Sequence, residues 1–232
     1  MSGATGGLAP SADQQRVLRQ AARALAAKGL VHAYGHCSLR LSDARFLVCA
    51  PVPMGLIGRE DGIVVEVDGP LPQGVLGEVR AHQAIYRRRP DIRGVCRIMP
   101  PILGMLSTRA ITPKPRHGLG AYFHPGPAYY DDPRLLRDTE SAGRLADALG
   151  DLSAVVMRGN GAVVVADGIE KAVMLSWFLE DAARVERDVR MLGGAADAGV
   201  LNSDEIYARQ VYSGGVVERM WAWMTQGDPE HP

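Results

Sequence analysis

Glu78 and His82 are the two residues whose types and spacing most directly suggest chemistry. They lie four residues apart in a segment predicted to be helical from about residue 78 to residue 88, so their side chains share one face of that helix. A partly buried glutamate can have its pKa raised toward neutrality and can then transfer protons. The alternative is an exposed glutamate in the first helical turn, where the helix dipole favours negative charge.

A second candidate region is the long segment between residues 112 and 133, which is rich in Pro, Gly, His and Tyr and has no clear periodicity. A loop of this length inside a compact domain is usually functional, and histidines suit proton transfer near neutral pH. The segment therefore predicts a pocket wall or lid, although each residue alone is more often a hydrogen-bonded structural residue. Its candidates are His117, Tyr122, His124, Tyr129 and Tyr130.

The elements that must position these residues alternate between helical and strand-like segments. Ser11 and Gln14 form a capping-box pattern that predicts the start of the first helix, and Gly29 is a plausible end. Further helices are predicted at residues 138–149 and from 169 to about 192. Strands are predicted at residues 37–41, 46–50, 63–67, 92–98, 154–157 and 162–165. This order predicts an α/β protein with a short disordered lead, residues 1–10, and a single domain, residues 11–232.

Composition excludes several function classes. The 232 residues carry 26 basic and 26 acidic side chains, so the net charge is zero. That balance argues against nucleic-acid partners and gives no sign of attraction to an anionic membrane. No apolar run approaches the roughly 18 to 20 residues of a membrane span, and the N-terminus lacks the features of a signal peptide. The three cysteines are odd in number and lack a Cys-x-x-Cys pair, which indicates reduced thiols in a cytoplasmic protein.

Three motifs occur in an order and spacing that resemble the class II aldolase/adducin family. They are GHCSLR at residues 35–40, EVRAHQAIY with RPD at residues 78–91, and RGNGAVVV at residues 158–165. The resemblance covers about residues 12 to 195 and implies a three-layer αβα sandwich with a mixed central sheet. It also implies a homotetramer with sites between subunits, and a small-molecule substrate. The pairs Gly35-His36 and Arg158-Gly159 are most similar to the aromatic-acid decarboxylase branch of that family.

The sequence departs from the family at the metal site. Catalytic members bind a divalent ion through a His-x-His pair on the strand after Arg-Pro-Asp and through a third His in a later turn. The corresponding residues here are Arg97, Met99 and Asn160. Arginine cannot ligate a metal, because its guanidinium is always protonated. Methionine is a poor ligand for a hard ion, and asparagine a modest one. No metal and no cofactor are therefore expected, and the sequence also lacks a dinucleotide-binding or P-loop motif.

The resemblance also assigns roles to single residues. Glu78 occupies the position of the family's catalytic acid/base. From its chemistry, Arg97 is expected either to replace the metal as a fixed cation or to pair with a carboxylate at an interface, and His117 of the long segment is a further catalytic candidate. Arg40 could equally be a solvated arginine on a strand face. The expected substrate-binding residues are His36, Ser38, Arg40, His82, Tyr122, His124, Arg158 and Asn160. A displaced metal site made of His36, Glu78, His82 and His117 has suitable ligand types but no supporting spacing.

Two functions remain open from the sequence. The first is a metal-independent lyase that decarboxylates or cleaves a small carboxylate- or carbonyl-bearing molecule, or that catalyses a related aldol, cyclisation or dehydration step in a biosynthetic pathway. Polar, cationic side chains at the lost ligand positions favour it. The second is a non-catalytic binding or scaffold protein of the adducin type, which the loss of all three ligands favours. The lyase hypothesis predicts that Glu78 and Arg97 line one pocket.

Overall fold

The computed structural model describes residues 9–193 and 195–231. Seven strands form one sheet: β1 (His36–Arg40), β2 (Arg45–Val48), β3 (Ile63–Glu66), β4 (Gly94–Ile98), β5 (Ala128–Tyr130), β6 (Ala154–Met157) and β7 (Ala162–Ala166). Their order across the sheet is β3-β2-β1-β4-β7-β6-β5. All neighbours are antiparallel except β5 and β6, which are parallel. The predicted mixed sheet is therefore confirmed.

Helices cover both faces of this sheet, which completes the three predicted layers. The helices are α1 (Ala12–Ala27), α2 (Arg80–Arg88), α3 (Pro101–Ser107), α4 (Thr139–Leu149), α5 (Ile169–Leu192), α6 (Ser203–Arg209) and α7 (Val216–Met224). One apolar cluster joins α1, α3 and α5 to one face, and a second joins α2 and α4 to the other. In the described part of the chain, no helix is both long and apolar enough to cross a membrane.

Local sequence signals explain where several elements begin and end. Ser11 and Gln14 form the predicted capping box at the start of α1. The strand predicted at residues 154–157 and the helix predicted at 169–192 have the observed bounds. Other predicted ends differ from the observed ones by one or two residues, as at β1 and β4. The predicted N-terminal lead, residues 1–10, lies almost wholly outside the described residues.

Two features differ from the predictions. The segment between residues 112 and 133 contains a turn of 3-10 helix at Gly120–Phe123 and the strand β5, which pairs with β6. The helix predicted from residue 78 starts as a 3-10 turn at Gly77–Val79 and becomes α-helical only at Arg80. This places Glu78 in the turn that leads into α2, beside the end of the sheet.

Candidate active site

Strand alternation places the candidate residues of β1 on the face of the sheet that α2 covers. Cys37 and Leu39 belong to the apolar cluster on the α5 side, so His36, Ser38 and Arg40 point toward α2. In the antiparallel register of β1 and β4, His36 lies directly opposite Arg97. The side chains of directly opposed residues emerge on the same face. The fold therefore brings together a histidine and an arginine that are far apart in sequence.

Four buried polar side chains form a continuous hydrogen-bonded chain between β1 and α2. Nδ1 of His36 lies 2.8 Å from Nε2 of His82, and Nδ1 of His82 lies 2.6 Å from Oγ of Ser38. Oγ of Ser38 lies 2.9 Å from the hydroxyl of Tyr86, which also donates to the carbonyl oxygen of Ser38 at 3.1 Å. His82 and Tyr86 are one turn apart on α2, so both reach the same strand.

Burial keeps His36 and His82 neutral. It lowers the pKa of His82 to about 3, and the positive charge of Arg97 contributes in the same direction. Burial also holds the pKa of His36 well below its ordinary value, with further lowering by His82 and Arg97. The pKa of Tyr86 is raised by burial. Near neutral pH, each of these groups and Ser38 therefore carries a single exchangeable proton.

Arg97 is a buried cation whose described hydrogen bonds go only to neutral groups. It is 2% exposed. One terminal nitrogen donates to Oδ1 of Asn160 at 2.8 Å, and the other donates to the carbonyl oxygen of Ile98 at 2.7 Å. Burial lowers the pKa of Arg97 to about 10, and the charge of Glu78 partly opposes that shift. Glu78 thus acts on Arg97 electrostatically, and that the two residues line one pocket stays a prediction.

Three buried polar atoms in this region have no hydrogen-bond partner among the described residues. They are Nε2 of His36, Nε of Arg97 and Nδ2 of Asn160. Buried polar groups are normally paired, and unpaired ones often mark a missing ligand or water. Nε of Arg97 and Nδ2 of Asn160 are donors, and together they present hydrogen atoms suited to an anionic oxygen.

The turn that carries Asn160 is held close to the end of β4. Gly159 and Gly161 both have positive φ, at 61° and 68°. A Cβ at Gly161 would lie 2.1 Å from the carbonyl oxygen of Ile98 and 3.0 Å from a terminal nitrogen of Arg97. Only glycine fits this approach. Gly159 instead donates its N–H to Oγ of Ser107 at 2.9 Å, which anchors the turn to α3.

We expect Gly161→Ala to destabilise the protein far more than Gly159→Ala. Both substitutions place a side chain at positive φ, which costs about 1 kcal/mol or more. Gly161→Ala also forces the turn away from Ile98, whereas a Cβ at Gly159 meets no described atom within 4 Å. Urea denaturation of the two variants measures the difference. Equal losses would show that the turn does not pack tightly against Arg97.

The residues present do not fit the divalent ion of the related catalytic proteins. The guanidinium of Arg97 stands at one ligand position and its N–H groups already bind Oδ1 of Asn160, the only good donor atom at another. Within the described ranges, no group of three or more His, Cys, Asp or Glu side chains is arranged to hold a metal ion. The four-residue displaced site considered from the sequence is not assembled, because His117 lies against α5 on the other face of the sheet.

A small cavity adjoins this cluster. It has a volume of about 10 Å³ and is lined by His36 and by residues of β2, the three residues after β2, β3 and the segments on either side of Glu78, but not by Glu78 or Arg97 themselves. A space of this size admits one water molecule or one hydroxyl group.

Arg40 lies on the same face but its donors are used by the main chain. Its guanidinium donates to the carbonyl oxygens of Ile92 and Tyr86, each at 2.7 Å, and to that of Arg89 at 3.0 Å. It also stacks over the ring of Tyr86 at 4.6 Å. Arg40 therefore ties β1 to the end of α2. Its donors are occupied by main-chain carbonyl oxygens, so none is left free for its predicted role in substrate binding.

The candidates of the long loop lie apart from the His36–Arg97 cluster within the chain. Nε2 of His117 lies 2.9 Å from Oδ2 of Asp181 on α5. The Tyr122 hydroxyl donates to the carbonyl oxygen of Val211, and the ring of His124 contacts that of Tyr207. Arg158, which follows β6 and is not part of the loop, is partly exposed and pairs with Asp131 of the loop at 2.5 Å. Their roles in a site remain predictions.

Tyr86 is the residue of this cluster that the sequence analysis did not single out. It completes the hydrogen-bonded chain, and it is 2% exposed. The sequence feature that could have identified Tyr86 is its spacing, four residues after His82 and eight after Glu78, which places the three on one helical face. An aromatic residue at that spacing is also typical of a core position, so only the contact with Ser38 distinguishes the two interpretations.

Comparison with known proteins supports the family resemblance. The family model described as "Class II Aldolase and Adducin N-terminal domain" matches residues 16–186. A 3,4-dihydroxyphthalate decarboxylase of Arthrobacter keyseri is 31% identical over 207 residues, which is 79% of this chain and 82% of the relative. A protein of the same name from Rhodococcus jostii (strain RHA1) is 30% identical, over 77% of this chain and 81% of its own length.

Solved structures show the same fold. The L-fuculose-1-phosphate aldolase of Thermus thermophilus superposes with a TM-score of 0.72 at 26% identity, covering 80% of this chain and 100% of that one. An aldolase II superfamily protein of Pseudomonas syringae has a TM-score of 0.78 at 23% identity, covering 94% and 93%. Because the family model matches residues 16–186, well over half of the sequence, the chain belongs to the class II aldolase and adducin family.

Proposed function

We propose that this protein is a carbon–carbon lyase that decarboxylates a small aromatic or otherwise conjugated carboxylic acid, with Arg97 in place of a divalent metal ion. Two relatives at about 30% identity bear the name of an aromatic-acid decarboxylase, which favours decarboxylation over sugar-phosphate cleavage. The proposal extends that similarity to a chain in which the metal ligands are replaced.

The observation that carries the proposal is the unpaired charge of Arg97. An ion buried without an opposite charge is costly, because it loses its hydration and gains no compensating attraction. Among the described residues, Arg97 forms no ion pair, the charge of Glu78 only partly offsets its burial, and its Nε is unpartnered. An anionic oxygen of a substrate would supply both the missing charge and the missing acceptor.

The proposed reaction assigns separate tasks to Arg97 and Glu78. As the bond between the substrate carbon and its carboxylate breaks, CO₂ leaves and the electron pair stays on the substrate. Charge then develops on an oxygen conjugated with that carbon, and a preorganised buried cation beside that oxygen stabilises the transition state. The carbon finally takes up a proton. Glu78 is half-buried in the turn before α2, so it can deliver that proton and recover another from solvent.

Glu78→Gln tests the proton transfer. The amide keeps the shape of the carboxyl group but cannot release a proton, so we expect kcat to fall about 10²-fold with little change in KM. Steady-state kinetics on an acid that the wild type decarboxylates gives this number. Glu66→Gln, at the end of β3, is the matched control because Glu66 lies on the same sheet but outside the cluster. Wild-type turnover by the Glu78→Gln variant would remove Glu78 from the mechanism.

The proposed function as a whole is tested with protein purified without affinity-tag metal. Its metal content is measured, and benzoic, hydroxybenzoic and 2-keto acids are then screened by thermal shift and for release of CO₂, with and without EDTA. We expect less than about one equivalent of divalent metal, and turnover that EDTA does not remove. Stoichiometric metal whose removal abolishes turnover would contradict the proposal. Tight binding of acids without CO₂ release would favour a binding protein.

A further inference from the structure

We infer that His36 presents an unprotonated Nε2 to the site, and that this lone pair selects acids that carry a hydroxyl group over the same acids without one. The inference rests on the proposed function for the identity of the anion and adds a specificity-determining residue to it. It comes from the geometry of the chain that joins His36, His82, Ser38 and Tyr86.

Counting protons along that chain fixes the tautomer of His36. The chain has four hydrogen-bonding contacts: Tyr86 hydroxyl to Ser38 carbonyl, Ser38 hydroxyl to Tyr86 hydroxyl, His82 Nδ1 to Ser38 Oγ, and His36 Nδ1 to His82 Nε2. With both histidines neutral, the four side chains supply four protons, one each. Each contact needs one proton between its two heavy atoms.

The direction of the chain is set at its Tyr86 end. A carbonyl oxygen cannot donate, so the proton of Tyr86 goes to the carbonyl of Ser38. Ser38 must then donate to Tyr86, His82 must donate from Nδ1 to Ser38, and His36 must donate from Nδ1 to His82. This arrangement satisfies all four contacts and leaves Nε2 of His36 without a proton. The opposite direction puts a proton on that Nε2 and leaves one contact with no proton, which is unfavourable in a buried site.

The groups around His36 indicate what kind of ligand this lone pair could bind. The unpartnered groups of Arg97 and Asn160 are donors, whereas Nε2 of His36 is an acceptor. His36 lies directly opposite Arg97 on the same face of the sheet, so the acceptor of His36 lies next to the donors of Arg97. Donors alone would suit a bare carboxylate, whereas donors with one acceptor beside them suit a molecule with an anionic oxygen and an O–H group. The adjoining cavity of about 10 Å³ has room for that hydroxyl and is otherwise apolar.

The tautomer is measured by long-range ¹H–¹⁵N correlation spectra of protein with labelled histidines. His36→Gln and His82→Gln assign the two rings. We expect both rings to carry their proton on Nδ1 in the wild type. In Tyr86→Phe, two contacts and three protons remain, so both directions satisfy the chain and the Nε2–H form of His36 becomes populated. A proton on Nε2 of His36 in the wild type would overturn the inference.

The selectivity is measured by calorimetric titration with benzoate, with 2-, 3- and 4-hydroxybenzoate, and with the matching methoxybenzoates. We expect the best hydroxybenzoate to bind at least about tenfold more tightly than benzoate. Benzoate lacks the hydroxyl group, so it leaves the buried acceptor Nε2 of His36 unpaired. The methoxy acid, which has no hydrogen to donate, should lose this gain. In the Tyr86→Phe variant, the ratio of hydroxybenzoate affinity to benzoate affinity should fall, while the affinity for benzoate itself stays unchanged.

Failure of the inference is distinguishable from failure of the proposed function. Equal binding of benzoate and hydroxybenzoates would contradict the selectivity and leave Arg97 as the anion site. If none of the acids binds, the result contradicts both the proposed anion site at Arg97 and the selectivity. The spectra still decide the tautomer of His36 in that case. Ser38→Ala breaks the chain at a second point, and it replaces Tyr86→Phe if that variant unfolds. An unchanged preference in the folded variant would show that the chain does not set it.

Discussion

Replacing Arg97 by methionine should abolish most of the proposed lyase activity in a protein that still folds. Methionine fills a similar volume, but it removes the cation that stabilises developing negative charge. Loss of one preorganised electrostatic contact of this kind costs about 10² to 10³ in kcat. Arg97→Lys should restore only part of the rate, because lysine keeps the charge but loses the planar arrangement of donors. Steady-state kinetics on an acid that the wild type turns over provides the comparison.

The stability of the same variant separates a functional arginine from a structural one. Removing Arg97 relieves a buried charge without a carboxylate in ion-pair range among the described side chains, but it leaves the acceptors of Asn160 and Ile98 without a donor, so the free energy of unfolding should change by no more than about 1–2 kcal/mol. Arg93→Met, an exposed arginine on the approach to the same strand, is the matched control. Loss of activity together with several kcal/mol of stability would instead identify Arg97 as a structural residue, and normal activity would remove it from the mechanism.

The family resemblance predicted the three layers of this fold, and local sequence signals located single elements within them. The apolar run of β6 and the long helix α5 were located with their observed bounds. The strand β5 was missed because it has only three residues and depends on parallel pairing with β6, which no local pattern reveals. The 3-10 turn at Gly77–Val79 was likewise merged into α2, since its residues continue the helical pattern.

The family resemblance pointed to the candidate residues, but the sequence did not show their connections. The strand predicted at residues 37–41 left out His36, and only the observed strand β1 shows that His36, Ser38 and Arg40 share one face. Nothing local showed that Arg40 would be taken up by three carbonyl oxygens near the end of α2. The contact between His36 and Arg97 depends on the pairing of β1 with β4, which are more than fifty residues apart in sequence. Such pairings are set by the whole sheet and cannot be found from single segments.

Glu186→Gln should cost about 3–5 kcal/mol of the free energy of unfolding at neutral pH. Its carboxylate is fully buried on α5 and pairs with Nε of Arg116 at 2.7 Å and with Nε of Arg190 at 2.6 Å. It also accepts from the main-chain N–H of Lys114 at 3.2 Å. Removing one partner of a buried ion pair leaves the other charge uncompensated, which is the costly case. Denaturation in urea at pH 7 measures the loss.

Glu140→Gln is the matched control, because Glu140 forms an i, i+4 pair with Arg144 that is largely exposed, at 86% and 44%. Exposed pairs of this kind contribute about 0.5 kcal/mol or less. The difference between the two variants therefore isolates the effect of burial. A loss below about 1 kcal/mol in Glu186→Gln would show that water or the main chain replaces the carboxylate as the partner of Arg116.

The pH dependence gives a further check on the same pair. Burial alone would raise the pKa of Glu186, but its hydrogen bonds with Arg116 and Arg190 outweigh burial and lower it below the ordinary value of 4.5. A lowered pKa in the folded state means that ionisation stabilises the protein above about pH 4.5, and that this contribution is lost as the pH falls toward the folded-state pKa. The gap between wild type and Glu186→Gln should therefore narrow in acid. Since Arg116 also donates to the carbonyl oxygens of Ala196 and Ala198, weakening this pair should also loosen the contact between Arg116 and those two residues.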